Sequence, residues 1–192
     1  MKILFAHGLG SSGRYKMASS LRILLRPCEV LSPDLPLEPQ AALDLLRGLC
    51  EENNPDLVVG LSLGGFLAQK LRGRRKLLVN PDFHPSVLLG TMKGERPYLS
   101  PRADGAVSFT VDDAVIGAYA RMEEGQFDAL TPEEIALTTG MFADGDALVH
   151  CASEFGERYP LRRIDYPGGH LPDYPAIKKY FVPVINDLFT QI

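Results

Sequence analysis

A serine flanked by glycines stands between a strand-like apolar run and a helix-like segment. This feature constrains the fold of the chain more than any other. The motif Gly60-Leu61-Ser62-Leu63-Gly64 follows the apolar run Leu57-Val58-Val59 and precedes a helix-like stretch that begins near Phe66. Glycines on both sides allow a turn so sharp that backbone passes against backbone, where a Cβ would not fit. A strand, a G-x-S-x-G turn and a helix are typical of a nucleophile elbow, from which the serine projects. We therefore take Ser62 as the candidate nucleophile. The alternative is a glycine-rich connection with an incidental serine.

The first eighty residues alternate between apolar segments of strand length and helical patterns. The predicted strands are Lys2–Ala6, a short one near Val30, the run before Ser62, and Lys76–Val79. The clearest helical pattern is 39–52, where apolar side chains recur on one face. Because four alternations with short loops follow one another, we predict an α/β fold with a parallel sheet covered on both faces.

The second half of the chain is less regular. Prolines and glycines recur from about residue 82 to 134, where one helical segment, 114–124, is visible. We interpret 82–134 as a cap inserted between two strands of a single domain that spans 1–192. Beyond it we predict a strand at 135–142, a helix at 147–159, a strand at 161–166 and a helix at 176–189. Pro183 is expected to kink or split the last helix.

The composition is that of an ordinary globular protein and argues against several classes. A chain of 192 residues with 45% hydrophobic and 23% charged residues can bury one core of useful size. A net charge of −4 without a dominant basic patch argues against nucleic-acid binding. We see no signal peptide and no stretch near the ~20 apolar residues that span a bilayer. The three cysteines lack CxxC spacing, so we expect a cytoplasmic protein with no disulfide framework, no metal and no membrane partner.

A serine hydroxyl needs a base to take its proton and a carboxylate to orient that base. On a sheet with such an elbow, the acid and then the histidine follow the serine along the chain, each after a strand. His170 follows the last predicted strand in Pro167-Gly168-Gly169-His170, a turn flexible enough to bring its ring over Ser62. The other histidines stand too early in the chain or too close to the acid loop: His7, His84 and His150.

The acid is expected just after the strand predicted at 135–142, where Asp144 and Asp146 both qualify. We favour Asp146, because Asp146-Ala147-Leu148-Val149 resembles a D-x-x-V pattern that is common after this strand in the α/β-hydrolase superfamily, where the apolar residue packs below the acid. Asp144 then serves as a solvated or turn-capping carboxylate. Asp34 and Asp173 are weaker alternatives.

Acyl transfer also needs hydrogen-bond donors aimed at the developing oxyanion. We predict that the backbone N–H groups of Leu63 and Leu9 supply them, one directly after the nucleophile and one in the glycine-rich loop that follows the first strand. That loop lacks the G-K-[ST] ending of a phosphate cradle. We interpret His7 as a residue that stabilises the turn.

With these residues placed, the chain resembles the α/β-hydrolase superfamily over nearly its whole length, and most closely the small bacterial esterases of the YqiA type. The matching segments are Leu4-Phe5-Ala6-His7-Gly8, Asp34-Leu35-Pro36, Val59-Gly60-Leu61-Ser62-Leu63-Gly64-Gly65-Phe66, Val79-Asn80-Pro81, and the loops of Asp146 and His170. The resemblance implies an α/β-hydrolase fold: three αβα layers around a reduced, mostly parallel sheet of about six strands. Ala143 stands where glycine is common in relatives.

The resemblance also implies hydrolysis of a small-molecule carboxylic ester or thioester through an acyl-enzyme, without a cofactor. The alternatives are a non-catalytic scaffold that binds a ligand or partner, an acyltransferase that uses the same acyl-enzyme, and, less favoured, a haloperoxidase or C–C lyase variation. We expect small to medium acyl chains, because the cap is small and only part of its apolar set is free to line a pocket. That set is Phe83, Leu88, Leu89, Met92, Tyr98, Leu99, Phe109, Ile116, Tyr119 and Met122.

Overall fold

Parallel strands form the centre of the protein in this computed structural model, which describes residues 1–128 and 130–190. The strands are β1 (Lys2–Ala6), β2 (Glu29–Leu31), β3 (Leu57–Leu61), β4 (Lys76–Val79), β5 (Gly94–Pro97), β6 (Ser108–Val111), β7 (Thr138–Ala143) and β8 (Arg163–Tyr166). Six of them pair in parallel in the order β2-β1-β3-β4-β7-β8, and β5 and β6 form a separate antiparallel hairpin. The predicted fold class, an αβα arrangement around a parallel sheet of about six strands, is confirmed.

Helices cover both faces of the six-stranded sheet. They are α1 (Lys16–Leu24), α2 (Pro39–Asn53), α3 (Leu63–Gln69), α4 (Pro85–Gly90), α5 (Asp113–Glu123), α6 (Pro132–Ala136), α7 (Ala152–Arg158), α8 (Tyr174–Ala176) and α9 (Val182–Thr190). Side chains alternate along each strand, so one face buries Leu4 and Val58 against α2, α3 and α7 while the other buries Ile3 and Val59 against α1 and α9. This double burial explains why most positions in β1, β3 and β4 are apolar. None of the helices in the described ranges is long and apolar enough to cross a membrane.

The segment between β4 and β7 contains α4, the β5–β6 hairpin, α5 and α6. Phe83, Leu89, Phe109 and Tyr119 of this segment lie in the same apolar cluster as one face of the sheet. These four residues therefore extend the main core over that face. The helix predicted at 114–124 is α5, one residue earlier at each end.

Three predicted boundaries around β7 and β8 are wrong. Residues 132–136 form α6, because Thr131 accepts a hydrogen bond from the Glu134 N–H and Pro132 stands in the first helical turn. The helix predicted from 147 begins only at Ala152, so His150 lies in the loop before it. The strand predicted from 161 begins at Arg163, because Leu161 has φ 63° and is fully exposed.

Pro183 was predicted to kink or split the last helix; residues 174–190 are helical without a break, and only the hydrogen-bond pattern changes before the proline. A π-helical turn, Ile177–Phe181, separates α8 from α9, and the Val182 N–H donates to the carbonyl of Ile177, five residues earlier. A proline has no N–H to donate and crowds the carbonyl four residues before it. The wider turn directly before Pro183 accommodates both constraints.

Candidate active site

Four loops that carry predicted site residues leave the same edge of the sheet. Ser62 follows β3, Asp146 lies in the loop after β7, and His170 lies in the loop after β8. The glycine-rich loop that contains Leu9 follows β1, the neighbour of β3. Because all these strands are parallel, their carboxyl ends meet at one edge, and the loops converge there although they are far apart in sequence.

Ser62 occupies the sharp turn predicted for it. Its backbone has φ 55° and ψ −119°, a conformation that non-glycine residues rarely adopt. A Cβ at Gly60 would lie 2.5 Å from the carbonyl oxygen of Gly64, and one at Gly64 would overlap the carbonyl of Ala6. The two glycines of the motif therefore allow the backbone to close the turn. The Ser62 side chain is left at the sheet edge, where it is 7% exposed.

Ser62, His170 and Asp146 form a continuous chain of hydrogen bonds. The Ser62 hydroxyl donates to His170 Nε2 over 2.9 Å, and the Nδ1–H of the same ring donates to Asp146 Oδ2 over 2.7 Å. This direction of donation requires the neutral Nδ1–H tautomer, which the network assigns. Asp146 Oδ1 accepts from the backbone N–H groups of Leu148 and Val149, at 2.8 and 3.0 Å. Two backbone amides thus fix the Asp146 carboxylate through Oδ1, while Oδ2 accepts the hydrogen bond from the imidazole.

The other predicted candidates for acid and base lie elsewhere. Asp144 is exposed and accepts from the Gly168 N–H, so it joins two loops rather than contacting the imidazole. Asp34 accepts from the amides of Gly13 and Ala103, and Asp173 caps α8. Of the histidines, His84 pairs with Glu154, and His150 is an exposed loop residue.

Asn80 is a site residue that the sequence reasoning did not assign. Its Nδ2–H₂ donates to the carbonyl of His170 and to the Tyr166 hydroxyl, and its Oδ1 accepts from the Ala143 N–H. One side chain at the end of β4 therefore joins the histidine loop to the strand that leads to Asp146. Its position directly after a buried strand, at the carboxyl edge, was the signal that could have identified it.

The loop after β1 passes directly beside Ser62. A Cβ at Gly8 would lie 3.4 Å from the Ser62 Cβ and 3.9 Å from its Oγ. His7 stabilises this loop through two hydrogen bonds: its Nδ1–H donates to the Gly8 carbonyl, and its Nε2 accepts from the Leu35 N–H. Burial lowers the pKa of His7 to about 4, and the positive charge of Arg102 acts in the same direction. His7 is thus a neutral ring with both nitrogens engaged, which agrees with its interpretation as a turn-stabilising residue.

A cavity of about 210 Å³ opens at Ser62 and His170. Its walls are mainly apolar and include Leu61, Leu88, Met92, Leu99, Leu148 and Leu171. Three of them, Leu88, Met92 and Leu99, belong to the apolar set of the cap. Leu9 and Gly8 form the adjoining wall.

A metal ion would need a cluster of His, Cys, Asp or Glu side chains to hold it. No three His, Cys, Asp or Glu side chains in the described part of the chain stand close enough together to hold a metal ion. Cys28, Cys50 and Cys151 are buried and free. Burial raises the pKa of the Cys151 thiol to about 11, so this cysteine near the site remains a thiol at neutral pH.

Comparison with known proteins shows the family to which the fold belongs. The sequence profile described as the Alpha/beta hydrolase family matches residues 3–185. The chain belongs to that family. A search of curated protein sequences found no match. The resemblance to YqiA-type esterases within this family stays a prediction.

Solved structures of other alpha/beta hydrolases share the fold at low identity. The chain is similar to a proline iminopeptidase-related protein of Thermus thermophilus, with TM-score 0.62, 17% identity, and 100% and 91% of the two chains covered. A methylesterase from Arabidopsis gives TM-score 0.60 at 12% identity, with both chains covered completely. A fluorophosphonate-binding serine hydrolase of Staphylococcus aureus gives TM-score 0.61 at 13% identity, with 98% and 83% covered. At such identities the likeness shows the fold alone.

Proposed function

We propose that this alpha/beta hydrolase is a serine esterase that cleaves carboxylic esters or thioesters of small to medium acyl chains. The observation that carries the proposal is the hydrogen-bond chain from Ser62 Oγ through the His170 ring to Asp146. A serine at a strained elbow, with a base at 2.9 Å and a carboxylate behind the base, is the arrangement that acyl-enzyme chemistry needs.

In the proposed mechanism, Ser62 Oγ attacks the ester carbonyl carbon while His170 Nε2 takes its proton. Asp146 stabilises the imidazolium through the Nδ1–H bond. The leaving alcohol or thiol takes the proton from His170 as its bond to the acyl carbon breaks. A water molecule then repeats the sequence on the acyl-enzyme, releasing the acid and restoring Ser62.

The oxyanion of each tetrahedral intermediate would be bound by the backbone N–H groups of Leu63 and Leu9. Leu63 is the first residue of α3, so its N–H lacks a partner inside the helix. Leu9 lies in the loop whose Gly8 packs against Ser62. His7 keeps this loop in place through its bond to the Gly8 carbonyl.

The cavity at Ser62 supports the assignment of the acyl group. Its volume of about 210 Å³ is smaller than the ~300–1,000 Å³ typical of sites for drug-sized ligands, and its walls are mainly leucine and methionine. An uncharged acyl group of limited length fits such a site. The same acyl-enzyme also serves an acyltransferase, in which an alcohol or thiol replaces water.

A fluorophosphonate probe tests the proposal directly, because it reacts with an activated serine. The wild-type protein should become labelled at Ser62, and Ser62→Ala should lose both labelling and ester hydrolysis while it stays folded. We expect turnover to fall by roughly 10⁴–10⁶-fold, as for loss of a triad nucleophile. A folded Ser62→Ala protein with more than a few per cent of wild-type turnover would contradict the assignment. If the wild type is neither labelled nor active, the chain is a binding scaffold.

A further inference from the structure

A second cavity, of about 300 Å³, adjoins the one at Ser62. Both cavities include Leu88 and Leu148 in their walls, so these two side chains stand between them. The other walls of the second cavity combine apolar side chains with the polar side chains of Asp82, His84, Thr91 and His150. An ester consists of an acyl half and an alcohol half. The apolar cavity at Ser62 is assigned to the acyl half, so the alcohol half needs a separate place to bind.

Asp82 connects this second cavity to the reacting groups. Its backbone N–H donates to the carbonyl of Ser62 over 3.3 Å, so it lies against the nucleophile turn. Its carboxylate interacts electrostatically with His170, the group that would protonate the leaving alcohol. Asp82 therefore lies near both the nucleophile turn and the histidine that would protonate the leaving alcohol.

The carboxylate of Asp82 is buried and incompletely hydrogen-bonded. The residue is only 6% exposed, and its Oδ1 accepts one hydrogen bond, from the His84 N–H at 3.1 Å. Within residues 1–128 and 130–190, Oδ2 accepts none. Burial raises the pKa of Asp82, and the negative charge of Glu123 acts in the same direction, whereas His84 and His170 oppose it. A carboxylate can accept about four hydrogen bonds. Among the described residues, Oδ2 is not one of the fully buried side-chain atoms without a partner, and Asp82 lines the second cavity, so this oxygen can accept a hydrogen bond from a group bound there.

We propose that the second cavity binds the alcohol half of the substrate and that Asp82 Oδ2 accepts a hydrogen bond from a hydroxyl or N–H group on it. This inference rests on the proposed esterase function and narrows it to esters of polyols or amino alcohols. Among the described residues that line the cavity there is no lysine or arginine. A leaving group that carries phosphate would therefore meet the Asp82 charge without a compensating cation.

Three butyrate esters that differ only in the alcohol test this inference in the wild-type protein. Glycerol monobutyrate carries hydroxyl donors, butyrylcholine carries a charge without a donor, and ethyl butyrate carries neither. We expect kcat/KM for glycerol monobutyrate to exceed that for the other two by on the order of ten-fold, the effect of one hydrogen bond to a charged group. Equal values for glycerol monobutyrate and ethyl butyrate, or an equal gain with butyrylcholine, would overturn the proposal.

The variant Asp82→Asn tests which residue is responsible. It should lower kcat/KM for glycerol monobutyrate by about ten-fold more than kcat/KM for ethyl butyrate, because a neutral amide forms a weaker hydrogen bond to a hydroxyl than a carboxylate does. Asp144→Asn removes the same charge from an exposed position outside the cavity and should keep the preference. A preference that survives in Asp82→Asn, or an equal loss on all three esters, would show that Asp82 does not bind the alcohol.

A binding measurement separates this inference from the proposed chemistry. Ser62→Ala protein, which has no nucleophile, is titrated with glycerol monobutyrate and followed by NMR. We expect the amide signals of Asp82 and His84 to shift, and the shifts to disappear when Asp82→Asn is added. Absence of these shifts would overturn the inference even if the wild type hydrolyses esters. Their presence would support the site even if Ser62 were not the nucleophile.

Discussion

The free energy of unfolding should fall by about 3 kcal/mol between pH 7 and pH 4 because of the pKa of His7. The pKa of His7 falls from 6.5 to about 4 on folding, chiefly because the ring is buried. A proton on Nε2 would also face the Leu35 N–H, which that nitrogen now accepts at 2.9 Å. Each pH unit between the two pKa values is worth about 1.4 kcal/mol of stability, which leads to the total of about 3 kcal/mol.

The sign follows from which state binds the proton more tightly. Between the two pKa values the unfolded chain is protonated at His7 and the folded protein is not. The contribution of neutral His7 to the stability of the folded state is therefore fully present above pH 6.5. It is lost as the pH falls towards 4.

Urea unfolding at pH 7, 5.5 and 4 measures this loss when wild type is compared with His7→Gln. Glutamine does not titrate, so the difference between the two proteins removes the contribution of carboxylates that titrate in both. We expect the wild type to lose about 3 kcal/mol more than the variant over this range. An NMR titration that finds the His7 ring protonating near pH 6.5, or equal losses in both proteins, would refute the reasoning.

The remaining predictions concern the reacting groups and the acyl half of the substrate. His170→Asn should abolish ester turnover because the base is lost, whereas His150→Asn should stay near wild type; the opposite result would assign the base to the other loop. Asp146→Asn should lower kcat by about 10⁴-fold, since both the orientation of the imidazole and the stability of the imidazolium depend on that carboxylate. Asp144→Asn should have a mild effect in the same assay, and an exchange of the two outcomes would assign the acid to Asp144. A p-nitrophenyl ester series from acetate to palmitate should reach its highest rate at short to medium chains, because the cavity at Ser62 holds only about 210 Å³. A maximum at palmitate would contradict the size argument.

The sequence alone determined those features that depend on local backbone requirements and on strand order. The elbow at Ser62 was predictable because only glycine fits beside that turn, at Gly60 and Gly64. The parallel sheet was predictable because strands that are buried on both faces are mostly apolar and alternate here with helical segments. His170 and the acid loop with Asp144 and Asp146 could be named because loops that follow parallel strands meet at one edge of the sheet.

Only the tertiary structure decided how these loops meet. Asp144 and Asp146 are two residues apart and have the same side chain. In the folded structure Asp144 accepts a hydrogen bond from the Gly168 amide, whereas Asp146 accepts one from the His170 ring. Ser62 and His170 are 108 residues apart, so their 2.9 Å contact exists only after the sheet has formed. Asp82 and the second cavity were missed for the same reason. The burial of a carboxylate and its missing donor depend on packing between distant segments, which no local pattern encodes.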